Sequence, residues 1–165
     1  RDSVASRGLG DVYKRQGYPD RSARSTYVAS LMGLGVAAGI GLLFVAVPRS
    51  LLSVFGMTDG IVVDIGVELL WYLAFSGLFV TVALAHTGGL QGTGDTKSPL
   101  YISIVSQVVL PLGLCAVIQS TSGLETNDVW MAIVIGHVSR CVLSVIRFRQ
   151  GRWRTITVDI GSARV

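Results

Sequence analysis

Four long apolar stretches alternate with short polar connections along this chain. They cover about residues 26–47, 61–87, 99–119 and 129–146. Between Ser25 and Leu124 the only acidic and basic residues are Arg49, Asp59, Asp64, Glu68, Asp95 and Lys97. An uncharged apolar run of about 18 residues is long enough to cross the core of a bilayer. The pattern therefore predicts an all-α, polytopic membrane protein with four transmembrane helices.

A polar, glycine-rich segment from Leu84 to Ile102 separates the second apolar stretch from the third. Glycine permits the backbone conformations of a tight reversal, and Pro99 suits the first turn of a new helix. Side chains of Asp95, Thr96 and Ser98 can cap the N–H groups that a helix start exposes. We therefore predict a helix, a short hinge and another helix. The predicted structural residues of this hinge are Gly89, Gly92, Gly94, Asp95, Thr96 and Pro99.

The composition agrees with a membrane protein and argues against a nucleic-acid partner. Half of the 165 residues are hydrophobic and 15% are charged, whereas globular chains carry roughly a quarter of charged residues. The net charge is +4, but the basic residues flank the apolar stretches instead of forming a patch. Cys115 and Cys141 lie within apolar runs, so we interpret them as free thiols. No metal-ligand spacing occurs, and we expect no metal or cofactor.

The charges of the connections predict an orientation. Basic residues before the first stretch, in the hinge and in the tail are Arg21, Arg24, Lys97, Arg147, Arg149, Arg152 and Arg154. The alternate connections contain Arg49, against the acidic residues Asp59, Glu125 and Asp128. By the positive-inside rule, the N-terminal end, the hinge and the tail are cytoplasmic.

Two features inside the stretches predict helix packing. Gly35 and Gly39 form a small-xxx-small pair, which allows another helix to approach closely. Pro111 should kink the third helix and free a carbonyl group near Gln107. The amide of Gln107 is expected to hydrogen-bond a neighbouring helix, or alternatively to line a substrate path.

Several titratable side chains lie within or beside the stretches. Asp64 and Glu68 share one helical face, and we interpret them as a solvated helix end. The alternative places Glu68 in a water-filled cavity as a coupling group. His86 and His137 are expected to pack or to form hydrogen bonds between helices, with proton relay as the alternative. No catalytic arrangement is present, and the hinge is no P-loop because Thr96 precedes Lys97.

The hinge sequence GGLQGTGDTKSPLYI resembles the G-A-L-R-G-x-G-D-T-[RK]-x-P-x-x-I signature of the multidrug and toxic compound extrusion (MATE) transporters. In that family the signature joins the tenth and eleventh helices. Three other segments resemble family motifs in the same order: GYPDRSA, PRSLLSVFG and the basic tail RFRQGRWRTITV. Together the similar segments cover Gly17 to about Val158.

The resemblance implies helices nine to twelve of a twelve-helix antiporter, within its C-terminal lobe. Such proteins export small organic, often cationic, molecules across a bacterial or archaeal plasma membrane in exchange for Na⁺ or H⁺. The implied partners are membrane lipid and the N-terminal lobe of the same chain. Some sodium-coupled members carry a carboxylate midway along the tenth helix. Here residues 79–85 contain none, and Val80 stands near that position. Glu68, Gln107 and His86 are the candidate pathway residues.

The ends of the chain are expected to differ from the body. Residues 1–16 resemble translated adapter sequence, with a native cytoplasmic segment as the alternative. The partial lobe covers residues 17–158, and residues 159–165 end a cytoplasmic tail. Since the chain starts without Met, we expect a longer parent protein.

Two other functions remain open: a non-transporting four-span scaffold, and a lipid-linked-substrate flippase, which should have a more basic cavity than Arg140 alone provides.

Overall fold

The computed structural model describes residues 19–155, and this part of the chain is helical, without a strand. Its α-helices are α1 (Pro19–Ala46), α2 (Pro48–Val54), α3 (Gly60–Gly92), α4 (Lys97–Ile104), α5 (Leu110–Thr121) and α6 (Thr126–Arg149). A π-helical segment, Val105–Val109, joins α4 to α5, so that the two form one continuous rod. A 3-10 turn, Arg152–Thr155, follows α6.

Four of these helical rods are long and apolar enough to cross a membrane, as predicted. They are Asp20–Ala46, Gly60–Gly92, Lys97–Thr121 and Thr126–Arg149. Most helix ends extend beyond the apolar stretches, because polar end turns continue the helix. Helix α6, for example, begins at Thr126, three residues before the apolar stretch, and Glu125 and Asp128 form a reciprocal capping box at this start. The predictions for residues 1–16 and 159–165 lie outside the described residues.

Helix α3 is the centre of the packing, with α1 on one side and α6 on another. Helix α1 is antiparallel to α3, because Gly33 lies against Thr81 and Gly41 against Ala74. Helix α6 is parallel to α3. Their rings meet near both ends, with centroid distances of 5.5 Å for Tyr72–Trp130 and 5.4 Å for His86–Phe148. One end of the bundle therefore contains the start of α1, the hinge and the end of α6; we call it the hinge end.

The close approach predicted at Gly35 and Gly39 is wrong for the described part of the chain. A Cβ atom at either position would have no contact within 4 Å. The contacts with α3 are made instead at Gly33 and Gly41. Two residues of an α-helix correspond to about 200° of rotation, so the predicted pair lies on the far side of α1.

One turn before Pro111, where a kink was predicted, the helix contains the π-helical segment. There the N–H of Leu110 bonds the carbonyl of Val105, five residues back. Helix α6 approaches this segment at Gly136, where a Cβ atom would lie 2.6 Å from the Ser106 carbonyl oxygen and 2.9 Å from Pro111. The widened turn and the glycine together allow close contact between the two helices.

Candidate functional site

The hinge begins with a Schellman motif that ends α3. The N–H of Asp95 bonds the carbonyl of Leu90 at 3.0 Å, and the N–H of Gly94 bonds that of Gln91 at 3.0 Å. Gly94 has a φ of +94°, which a residue with a side chain rarely adopts. Thr93 is fully buried, and its hydroxyl donates to the carbonyl of Leu90 at 2.8 Å. The reversal is therefore fixed by its own backbone.

The Asp95 carboxylate connects the hinge to α6. Its Oδ1 accepts the N–H of Ser98 at 3.1 Å, and its Oδ2 accepts Nε and Nη2 of Arg147 at 3.1 and 2.9 Å. Burial raises the pKa of Asp95, but the hydrogen bonds from Ser98 and Arg147 outweigh it and hold the pKa below the ordinary value. Thr96, by contrast, makes no cap hydrogen bond through its side chain. Asp95 thus caps α4 and tethers it to the end of α6.

Three helices cross at Gly89, just before the hinge. A Cβ atom there would lie 2.6 Å from the Thr26 hydroxyl oxygen and 3.0 Å from the Phe148 ring. One turn earlier the His86 ring lies edge-on to Tyr27 and Phe148, at centroid distances of 5.7 and 5.4 Å. These contacts explain why glycine and small or flat side chains are required at this crossing.

His86 is buried in this aromatic cluster. Its Nδ1 lies 2.8 Å from the Val82 carbonyl oxygen, in position to donate a hydrogen bond. The other ring nitrogen is buried and has no partner among the described residues.

Glu68 lies at the opposite end of α3 from His86. Eighteen residues of helix separate them, which corresponds to about 27 Å. Glu68 is exposed and lines an open cavity of about 450 Å³ together with Glu125 and Trp130. Its neighbour Asp64 pairs with Arg49 at 2.9 Å on the surface.

Gln107 lies in a third location, half-buried within the π-helical segment. Its Nε2 donates a long hydrogen bond of 3.4 Å to the carbonyl of Ser106. The structure therefore does not bring Glu68, His86 and Gln107 together into one site.

A cavity that the sequence did not predict lies midway along the helices. It has a volume of about 680 Å³ and is bounded mainly by α1 and α3, with His137 from α6. We call it the mid-membrane cavity. Most of its walls are apolar, and Ser76, Thr81 and His137 provide its polar side chains. Val80, which stands near the position expected for an ion-binding carboxylate, also lines it. Residues from three helices form this cavity, and no local sequence pattern could reveal it.

Arg140 follows His137 on α6, at the depth of the apolar stretches. Its Nε is buried and has no hydrogen-bond partner within residues 19–155. Charged groups at such a depth are costly in a membrane and generally pair with other protein groups or line an aqueous space.

Within residues 19–155, no group of three or more His, Cys, Asp or Glu side chains is placed to hold a metal ion.

Comparison with known proteins identifies the family. The MatE family model matches residues 15–117, which is more than half of the chain. The chain belongs to the MatE family. The match includes the glycine-rich hinge and the mid-membrane cavity, apart from its residue His137.

Relatives in this family are similar over most of the chain. Probable multidrug resistance protein NorM of Deinococcus radiodurans is 31% identical over 116 residues, 66% of this chain and 26% of that protein. The protein of the same name from Brucella suis is 30% identical over 153 residues, 89% of this chain and 32% of its own length. Protein DETOXIFICATION 22 of Arabidopsis thaliana is 24% identical over 81% of the chain. The chain thus spans a third or less of these relatives' length. No solved structure matches it significantly.

Proposed function

We propose that this chain is part of a secondary active antiporter that exports small organic, often cationic, compounds in exchange for Na⁺ or H⁺. The observation that carries the proposal is the MatE family match over residues 15–117. The names of the bacterial relatives, probable multidrug resistance protein, agree with export of organic compounds. The four helices that are long and apolar enough to cross a membrane agree with a transporter.

The mid-membrane cavity supports the choice of an organic substrate. Its volume of about 680 Å³ is within the range of small-molecule sites, and its apolar walls suit a hydrophobic molecular body. The cavity contains no acidic side chain. In the proposed antiporter, the charge that attracts a cationic substrate therefore comes from the remainder of the full-length protein.

The coupling ion requires a carboxylate that can release its proton or sodium ion. Within the described residues, Asp20, Asp64 and Asp95 are ion-paired, while Asp59, Glu125 and Asp128 cap helices. Glu68 alone among these acids has neither an ion pair nor a cap. We therefore assign Glu68 as this segment's candidate coupling group. The coupling ion would reach it through the open cavity beside it.

We further propose that the hinge end faces the cytoplasm and that the segment forms part of the C-terminal lobe. The ion pair between Asp95 and Arg147 holds the hinge to α6 at this end. In a transporter that works by movement of lobes, such a tether would keep these helices together as one rigid unit.

The test is efflux of a fluorescent cationic dye from cells that express the full-length gene. We expect export that stops when an ionophore dissipates the ion gradient. Absence of export across several dye classes, from a protein that reaches the membrane, would contradict the proposal and favour a flippase or a scaffold.

A further inference from the structure

A second cavity, of about 540 Å³, lies at the hinge end between the start of α1 and the turn that follows α6. Its walls include Tyr27, Phe148, Arg149, Gln150, Trp153 and Arg154. In contrast to the mid-membrane cavity, it is rich in polar and cationic groups. We call it the basic cavity.

The turn after α6 gives the basic cavity a preformed wall. Gly151 has a φ of +70°, and its N–H bonds the Phe148 carbonyl at 3.2 Å. The indole N–H of Trp153 donates to the same carbonyl at 2.9 Å, and the Trp153 ring stacks on Phe148 at 5.1 Å. Trp153 is only 1% exposed. The backbone that carries Arg149 and Arg154 is therefore fixed before any ligand binds.

The cavity lies in a region of positive charge. The described residues at this end include the bases Arg21, Arg24, Lys97, Arg147, Arg149, Arg152 and Arg154, and the acids Asp20 and Asp95. Asp95 is already neutralised by Arg147. Asp20 contacts Arg154 at 3.2 Å, but the Asp20 side chain is 87% exposed, so this pair is screened and exchanges readily. Arg149 is exposed and has no ion-pair partner in the described chain.

Apolar surfaces rise from the cavity along both of its helices. On α1, Leu31 follows Tyr27 by one turn and is 71% exposed. On α6, Ile146 and Val142 continue the face of Arg149 and are 49% and 48% exposed. A ligand with a charged end in the cavity would thus meet hydrocarbon-like surface toward the membrane interior.

We propose that the basic cavity binds the headgroup of an anionic phospholipid from the leaflet at the hinge end. Arg149 and Arg154 donate hydrogen bonds to the phosphodiester oxygens, a geometry that the planar guanidinium group suits. Tyr27, which is 47% exposed, is a residue of the kind enriched at the level of lipid headgroups. The acyl chains follow the exposed faces of α1 and α6. A zwitterionic lipid has no net negative charge to satisfy the cavity and binds more weakly.

The test compares lipid binding to the purified full-length protein, delipidated in detergent. Native mass spectrometry measures retention of phosphatidylglycerol, phosphatidylcholine and inorganic phosphate. The charge variant combines Arg149→Gln with Arg154→Gln. The control combines Arg24→Gln with Lys97→Gln, which removes the same charge from exposed residues that do not line the cavity.

We expect phosphatidylglycerol to bind in preference to phosphatidylcholine. Each basic residue near an anionic headgroup is expected to strengthen binding about fivefold, so the charge variant should bind about 25-fold more weakly. The control pair should bind normally, and the paired Arg→Lys variant should recover most of the affinity. That recovery also separates loss of charge from loss of folding.

Three outcomes would overturn the proposal. The first is equal binding of the two phospholipids, and the second is an equal loss of affinity in the control pair. The third is displacement of phosphatidylglycerol by inorganic phosphate at similar affinity, which would identify a site for free anions only.

Discussion

Replacement of Asp95 by alanine should destabilise the protein more than the loss of an ordinary helix cap would. The change removes the acceptor of the Ser98 N–H and both contacts to Arg147. It also leaves the guanidinium group of Arg147 without its carboxylate partner in a region where its side chain is 23% exposed. An uncompensated charge in such a place is the costly part of a broken ion pair.

The magnitude follows from these contacts. Loss of a cap costs about 1 kcal/mol, and loss of hydrogen bonds to a charged group costs about 1.5–3 kcal/mol. Because water reaches part of Arg147, we take the low end of the second range. The free energy of unfolding should fall by about 2.5 kcal/mol in all, and the amount of folded protein in the membrane should fall with it.

The matched control is Asp59→Ala. Asp59 caps α3 through the N–H of Ile61 at 3.0 Å, but it is exposed and makes no ion pair in the described structure. Its loss should cost about 1 kcal/mol or less. Unfolding of the purified full-length protein in mixed micelles, driven by a denaturing detergent, measures both variants. Equal stability of the two variants would show that the ion pair with Arg147 adds nothing to the helix cap. A changed substrate range of Asp95→Ala at normal stability would contradict a structural role for Asp95.

Three other predictions concern packing, pH and coupling. Gly89→Ala should lower the free energy of unfolding by about 1–3 kcal/mol, because its Cβ would lie 2.6 Å from a threonine hydroxyl oxygen of α1. Gly88→Ala, with open space around its Cβ, should leave stability unchanged. Equal effects of the two substitutions would contradict close packing of the three helices at Gly89. Because the pKa of Asp95 is lowered in the folded state, the contribution of Asp95 to the free energy of unfolding should be constant above about pH 4 and be lost only as pH falls further. The difference in unfolding free energy between wild type and Asp95→Asn, measured against pH, tests this. A decline of that difference already near pH 6 would contradict the prediction. Glu68→Gln should abolish ion-driven dye efflux at normal expression, while Asp64→Asn should retain it; unchanged efflux in Glu68→Gln would leave that residue a helix-end charge.

The apolar stretches were sufficient to predict the number and order of the spanning helices. Their ends were less predictable, because the apolar run marks only the part of a helix that faces hydrocarbon. The predicted second span, residues 61–87, continues as helix to Gly92. It stops there because Gly94 reverses the backbone, a conformation that is local in the sequence and was therefore recognisable as a hinge.

Contacts between distant residues could not be predicted in the same way. Arg147 appeared in the sequence as one of several tail charges, and nothing local indicated a partner 52 residues earlier. Gly33 and Gly41 make the contacts expected of Gly35 and Gly39. Which face of α1 contacts α3 depends on the packing of the two helices and not on the local sequence of α1. The mid-membrane cavity and the basic cavity likewise depend on which helices are neighbours.

Transport in proteoliposomes is the most direct measurement of ion-driven export by the full-length protein. The purified protein is reconstituted with a fluorescent cationic dye, and a Na⁺ gradient or a pH gradient is imposed separately. We predict that one of these gradients drives dye movement against its own concentration gradient and that the matching ionophore abolishes it. Dye movement that neither gradient affects, or no movement by correctly inserted protein, would contradict ion-driven export.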